Sequence, residues 1–371
     1  MPCRPLDALR PGDIAAAHAS LAPTNELLEQ RRAVYEAVLE LLLGYSPAVS
    51  DSQVLDNPMV RGHLGMVLSG GGSLDRTQLR PLSDLTTETS VFTVAGLPVR
   101  LAAARDAQVA LADALQRIAI QVDGDRPRPR PPRVITDDWP AFTTAYARVR
   151  DGAQLAARVA PELVGDLLPH VALVAVLDVA TSGRLGSASV REYPGLVLMP
   201  APTSALEAAE ALIHEGAHQR FFDLAITRAM FGANQFSAPD FRPSWAAADA
   251  PHWPLEQTFA AFHAYCCLAA FADALSTRRE LRTPRSSLLP VAPQRAAEIG
   301  DWLVRHGEFV GVDGHSLISG LLGQHPRGHP APAPPTSSPE HTPEDQVLVR
   351  NVRGRTLVAR RSTMELFWTT P

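Results

Sequence analysis

The residues best suited to chemistry lie in one segment, Thr203-Ser-Ala-Leu-Glu-Ala-Ala-Glu-Ala-Leu-Ile-His-Glu-Gly-Ala-His218. His214 and His218 are four apart, which on a helix puts both imidazoles on one face, a turn from each other. Two nitrogens so placed can reach one metal ion, and Glu215 beside them can hydrogen-bond a metal-bound water. The pattern is HExxH. Two partly buried histidines packing a core helix are the plainer alternative. The metal reading is preferred because the motif sits mid-helix rather than on a charged, exposed run.

The surrounding residues say which elements must hold the pair. Ser204 with Glu207 three residues on forms a capping box, and the apolar positions Leu206, Ala209, Ile213, Ala217 and Leu224 predict a helix over Ala205–Phe231, stopped at Gly232. Two histidines need a third ligand and an open position. The metzincin extension is absent, with Phe221 and Leu224 where glycine and histidine would stand. The gluzincin spacing is absent too, since Ala260 follows Glu256 at the required interval. A second helix is expected over Pro254–Leu275, with proline in its tolerated first turn. His263 on that helix is the preferred third ligand, with Glu256 and His252 behind it. Cys266 and Cys267 are adjacent, so they point about 100° apart on a helix and are read as core packing. His18, His63, His170, His306 and His315 stand alone, and His325, His329 and His341 fall in a proline-rich stretch.

Two chemistries suit such a site. Zinc would lower the pKa of a bound water, with Glu215 taking its proton, for peptide hydrolysis. Iron(II) on three protein ligands would leave room for a 2-oxo acid and dioxygen, as in an oxygenase. A non-catalytic peptide-binding protein is the third reading.

Beyond the motif itself, an ordered set of short matches spans Ser187–Leu275: Tyr193-Pro-Gly-Leu-Val-Leu-Met199, Leu212-Ile-His-Glu-Gly-Ala-His-Gln219, Pro243-Ser-Trp245, Trp253-Pro-Leu-Glu256 and Ala261-Phe-His-Ala-Tyr265. In these the chain resembles the HExxH-motif 2-oxoglutarate-dependent peptide β-hydroxylases of ribosomal-peptide natural-product biosynthesis. The resemblance implies Fe(II) and 2-oxoglutarate as cofactors and a precursor peptide as substrate. It makes His214, His218 and His263 the iron ligands, and Glu215 a residue that orients a ligand or water. After Pro-Ser-Trp the family commonly carries an arginine, whereas Ala246 stands here. Arg242, four residues earlier, and Arg191 are the arginines expected to hold the distal carboxylate of 2-oxoglutarate.

Composition narrows the field. All 34 basic residues are arginine, and no lysine occurs among the 371 residues. Schiff-base lysine chemistry, a P-loop and a kinase lysine are therefore excluded. A net charge of −5 is unlike a dedicated nucleic-acid binder. Three cysteines make no disulfide framework and suit a reducing compartment. The opening MPCRPLDALRPGD has no apolar core of a signal peptide, and no uninterrupted apolar run reaches the ~18–20 residues of a bilayer span. A cytoplasmic protein, bound to neither nucleic acid nor membrane, is expected, in an oligomeric state the sequence leaves open.

The expected fold class is mainly α (α+β): a helical domain with a small amount of sheet, the metal lying between the HExxH helix and the second long helix. The expected divisions are a helical N-terminal region at 1–125, the metal-site region at 134–323, a proline-rich linker at 324–343 and a C-terminal β-hairpin and tail at 344–371. Arg126–Arg133 alternates arginine with proline and is read as a rigid connector. Ser69–Ser73 is read as a flexible glycine turn. A helix is expected from Thr24 to Gly44, a strand pair or a strand edge over Val91–Leu101, and further helices over Leu101–Val122, Pro140–Ala160 and Glu162–Leu177. Ser187–Pro200 reads as a strand or hairpin, and Gln346–Arg361 as a hairpin turning near Asn351–Gly354.

Overall fold

Long runs rich in alanine and leucine, with few interior glycines, favour helix, and the protein is mainly α-helical. The computed structural model describes residues 9–43, 51–68, 73–123, 132–182, 186–247, 250–276, 287–323, 347–352, 355–360 and 365–369. Its first helices are α1 (Pro11–Leu21), α2 (Thr24–Leu43), α3 (Ser52–Leu55), α4 (Pro58–Leu68), α5 (Ala107–Ala110) and α6 (Ala112–Asp123). There follow α7 (Phe142–Val159), α8 (Pro161–Leu167), α9 (Val179–Ser182), α10 (Ala205–Thr227), α11 (Leu255–Ser276), α12 (Ala292–Arg305) and α13 (Val312–Leu321).

Three small sheets accompany them. β1 (Val91–Val94) and β2 (Leu97–Arg100) form an antiparallel hairpin. Its turn places Ala95 and Gly96 at positive φ, 49° and 81°, the pairing a tight two-residue hairpin needs. In the second sheet β5 (Leu196–Pro200) lies centrally, parallel to β3 (Leu173–Leu177) and antiparallel to β4 (Ala188–Ser189). The third is an antiparallel meander of β6 (Val347–Val352), β7 (Arg355–Arg360) and β8 (Glu365–Thr369). The expected hairpin is present here and gains a third strand.

Where structure and expectation differ, the reasons are local. The helix expected over Glu162–Leu177 stops at Leu167, makes a 3-10 turn at Leu168–His170 and continues as strand β3. All five residues of β3 are buried, so it shows no alternation, and a short apolar run on both faces reads equally well as helix. The helix expected from Leu101 begins only at Ala107, because Ala102 N–H donates to Val174 O (2.8 Å) and ties this segment to β3. The HExxH helix ends at Thr227 rather than Phe231. Arg228 is extended, and Gly311 N–H donates to Met230 O (3.0 Å), drawing the following residues into pairing with the start of α13. The linker at 324–343, the arginine-proline run at 126–131 and the glycines at 70–72 lie outside the described residues.

Helix α10 runs through the centre, against α7, α11, α2 and α8. It is buried on nearly every side, and its buried polar side chains Glu210, Glu215, Gln219, Arg220 and Asp223 lie among apolar ones. One core cluster joins Ile14 and Ala17 of α1 to residues of α7, α8, α10, α11, α12 and α13. Helix α11 is long and apolar enough to cross a membrane, yet 83% of its most apolar window is buried inside the protein. It packs as a core helix, against α10 on one side and α12 on another.

Candidate metal centre

The start of α10 has the expected N-cap at Ser204, but Glu207 returns to Thr203 rather than to the Ser204 backbone N–H that a capping box uses. Ser204 Oγ accepts from Glu207 N (3.2 Å), while Thr203 N–H and Oγ1 both donate to Glu207 Oε2 (2.7 and 2.6 Å). Farther along, Gln219 joins the helix to the sheet. Its Oε1 accepts from Gly195 N (2.5 Å) and its Nε2 donates to Leu196 O (2.8 Å), which fixes the rotation of the helix against β5. These bonds leave His214 and His218 half-buried on one face, while the residues flanking each of them are buried.

The two imidazoles converge. Nε2 of His218 lies 3.2 Å from Nε2 of His214. One ion with bonds of about 2.0–2.1 Å would hold two nitrogens roughly 3.0–3.4 Å apart. Burial pushes His218 well below the usual histidine range, and His214 pushes it further, which favours the neutral ring that a metal ligand needs. Glu215 is buried at 1% exposure, with Oε1 3.9 Å from His214 Nε2. Its Oε2 and the Nδ1 of His214 are buried without a hydrogen-bond partner, and groups of that kind call for a ligand or a water. The walls are aromatic. His214 meets Tyr265 edge-on (6.1 Å between ring centres) and His218 stacks with Phe222 (6.3 Å).

The structure does not bring His263 to this pair. Nδ1 of His263 lies 3.0 Å from Ala217 O, and its Nε2 lies 2.6 Å from Nε2 of His18 on α1. Among the described residues, the group of three ligand atoms within 4.8 Å of one another is His18, His263 and Cys267. Helix α11 turns Tyr265 toward His214 and His263 toward His18. Burial, and next His18, push His263 well below the usual histidine range.

Arg191 forms an ion pair with Glu256, whose other oxygen Oε1 is buried without a partner. Arg242 is exposed on the segment that precedes Trp245. Arg295 of α12, which no sequence motif singles out, reaches the tyrosine that meets His214. Its guanidinium lies over the rings of Trp245 (4.8 Å) and Tyr265 (5.4 Å), and Nη1 donates to the Tyr265 hydroxyl (2.8 Å). No spacing in the sequence marks it, because α12 reaches the site only through tertiary packing. A cavity of about 250 Å³ lined by His63, Met66, Val67, Ser73, Gln78 and Asp113 shares no residue with the histidine pair.

Behind α10 runs a buried polar network. Arg220, fully buried, bonds Asp166 (2.7 Å), Thr24 (3.0 Å) and His170 Nε2 (3.1 Å). His170 Nδ1 meets Asp223 (2.6 Å), which also accepts from Arg31 (2.7 Å). Burial lowers His170 to about 4, although Asp223 pulls the other way. His18 and His170, each solitary along the chain, acquire partners only here.

No family model matches the chain, and no curated protein matches it.

Proposed function

We propose that this protein is an Fe(II)- and 2-oxoglutarate-dependent oxygenase of the HExxH peptide β-hydroxylase type, hydroxylating a side-chain Cβ of a ribosomally made precursor peptide in the cytoplasm. The observation that carries the reading is the His214–His218 pair, with Nε2 atoms 3.2 Å apart, beside the unpartnered Glu215 carboxylate oxygen. The ordered motifs from Tyr193 to Tyr265 support the choice of oxygenase.

The residues present fit a divalent ion held by two neutral imidazoles, with His214 and His218 as the holders and Glu215 completing or orienting the shell. Iron with its 2-oxo acid and dioxygen would supply the oxidising power for C–H hydroxylation. The chain's own part is placement. Trp245 and Tyr265 wall the site and Arg295 offers a guanidinium, packed on both rings, for a bidentate carboxylate. In a chain without lysine, this is the guanidinium packed on both the Pro-Ser-Trp and the Phe-His-Ala-Tyr segments.

A zinc hydrolase is the second reading, favoured by the same Glu215 oxygen, which is placed as a base for a metal-bound water. Purified protein with a candidate precursor peptide separates the two by mass spectrometry. A gain of one oxygen atom that requires iron(II) and 2-oxoglutarate supports the proposal. Cleavage with zinc supports the hydrolase, and no change under either condition overturns both.

A further inference from the structure

A second group of ligand atoms lies where α1 meets α11, and both of its histidines are oriented through their far nitrogens. His18 and His263 meet through their Nε2 atoms at 2.6 Å, and Cys267 Sγ lies 3.9 Å from Nε2 of His263. All three residues are buried at 0% exposure. Both histidines are oriented through their other nitrogen. Nδ1 of His18 bonds the Asp166 carboxylate, and Nδ1 of His263 bonds the Ala217 carbonyl (3.0 Å). Asp166 also accepts from Thr24 (2.7 Å) and Arg220 (2.7 Å), so it serves as an acceptor on every side.

These partners determine the tautomers. A backbone carbonyl can only accept, so Nδ1 of His263 carries its proton. A carboxylate that already takes two donors likewise accepts from His18 Nδ1. In a neutral imidazole the second nitrogen is then a bare lone pair. Two lone pairs therefore face each other across 2.6 Å with a cysteine sulfur beside them, an arrangement that repels unless a positive centre lies between. Carboxylate or carbonyl behind the imidazole and lone pair in front is also the arrangement of metal-ligating histidines.

We propose that His18, His263 and Cys267 form a second, buried metal centre, separate from the HExxH pair, that binds a soft d10 cation through two imidazole nitrogens and one thiolate. Thiolate with imidazole selects Cu(I) or Zn(II) over iron or magnesium. Charge and ligand number favour Cu(I). One thiolate and Asp166 offset Arg220 and a monovalent ion, whereas a divalent ion leaves one net positive charge in the core. Among the described residues no fourth ligand completes a closed zinc shell. Binding displaces the Cys267 thiol proton to solvent, one proton per ion, and the imidazole nitrogens move apart by less than an ångström to the roughly 3.3 Å that one ion requires. Because His18 arrives on α1, the ion fastens the first described helix onto α11.

The test uses the full chain with both His214 and His218 replaced by alanine, loaded anaerobically with Cu(I) or, separately, with Zn(II) or its Co(II) surrogate. One ion per chain is expected, with a sulfur neighbour in X-ray absorption of copper, or a thiolate charge-transfer band with cobalt. The copper arm and the zinc arm identify which ion the site takes. Adding Cys267→Ser should abolish the sulfur signal and lower stoichiometry at least tenfold, and His18→Gln should do the same. A melting curve in the absence of metal verifies that each variant folds. A double-alanine protein that binds neither ion, or binds without sulfur, overturns the centre. So does a Cys267→Ser protein that binds as before. Nitrogen NMR showing only a proton shared between the two rings, with metal added, overturns it as well. None of these outcomes depends on hydroxylase activity, so the two proposals fail separately.

Discussion

The Tyr265 hydroxyl accepts a hydrogen bond from Arg295 Nη1 at 2.8 Å, and the same tyrosine ring stands edge-on to His214 at 6.1 Å. One side chain thus links the guanidinium of α12 to the histidine face of α10. If Arg295 anchors the 2-oxo acid, Arg295→Ala removes a charge-assisted pair worth about 1.5–3 kcal/mol, which corresponds to a KM for 2-oxoglutarate raised roughly ten- to a hundredfold. Iron stoichiometry should not change. Steady-state kinetics with varied 2-oxoglutarate decides it, and an unaltered KM returns the anchor to Arg242 or Arg191.

Glu215 distinguishes the two chemistries without a substrate screen. Glu215→Gln keeps the size and one acceptor oxygen but cannot take a proton. As the base of a hydrolase it would be indispensable, and turnover should fall by about 10²–10⁴-fold. In the oxygenase the loss should be well below that, with metal content retained. His214→Ala or His218→Ala should lose the ion in either case, as read by metal analysis after gel filtration.

The crossing of α7 and α10 rests on Gly152. A Cβ there would meet Ala208 Cβ at 2.5 Å, Ala205 O at 2.7 Å and Ala209 N at 2.9 Å. Alanine is favoured over glycine in a helix by about 1 kcal/mol. Overpacking against backbone costs more, on the order of 1–3 kcal/mol. Gly152→Ala should therefore lower stability by up to about 2 kcal/mol in urea unfolding. An increase would mean that the helices separate at little cost.

Acid sensitivity should come from the network behind α10. His170 is held neutral in the folded protein, lowered to about 4, while the unfolded chain has the ordinary value near 6.5. Between those limits the unfolded state binds more protons, so stability is complete above about pH 6.5 and declines as pH falls toward 4. For a fully buried ring the difference is of order 3 kcal/mol. Urea midpoints from pH 7 to 4.5 should show that slope, and His170→Asn should flatten it even though the variant is less stable overall. Equal slopes in the two proteins would remove His170 as the cause.

Local sequence was enough to specify the helix that carries the histidine pair. Ser204, Glu207, His214, Glu215 and His218 obey rules of cap and spacing that act within a few turns, so the start of α10 and the shared face of its histidines could be read directly. The second long helix, the β1–β2 hairpin and the C-terminal hairpin were legible for the same reason. Where a local pattern was ambiguous, as in the wholly apolar Leu173–Leu177, only pairing with Leu196–Pro200 made it a strand. Tertiary structure alone decided which residues meet. It rotated α11 so that Tyr265 faces His214 while His263 faces His18, and it brought Arg295 onto Trp245. Those contacts depend on crossing angles between distant helices, which many side chains set together, and no spacing along the chain encodes them.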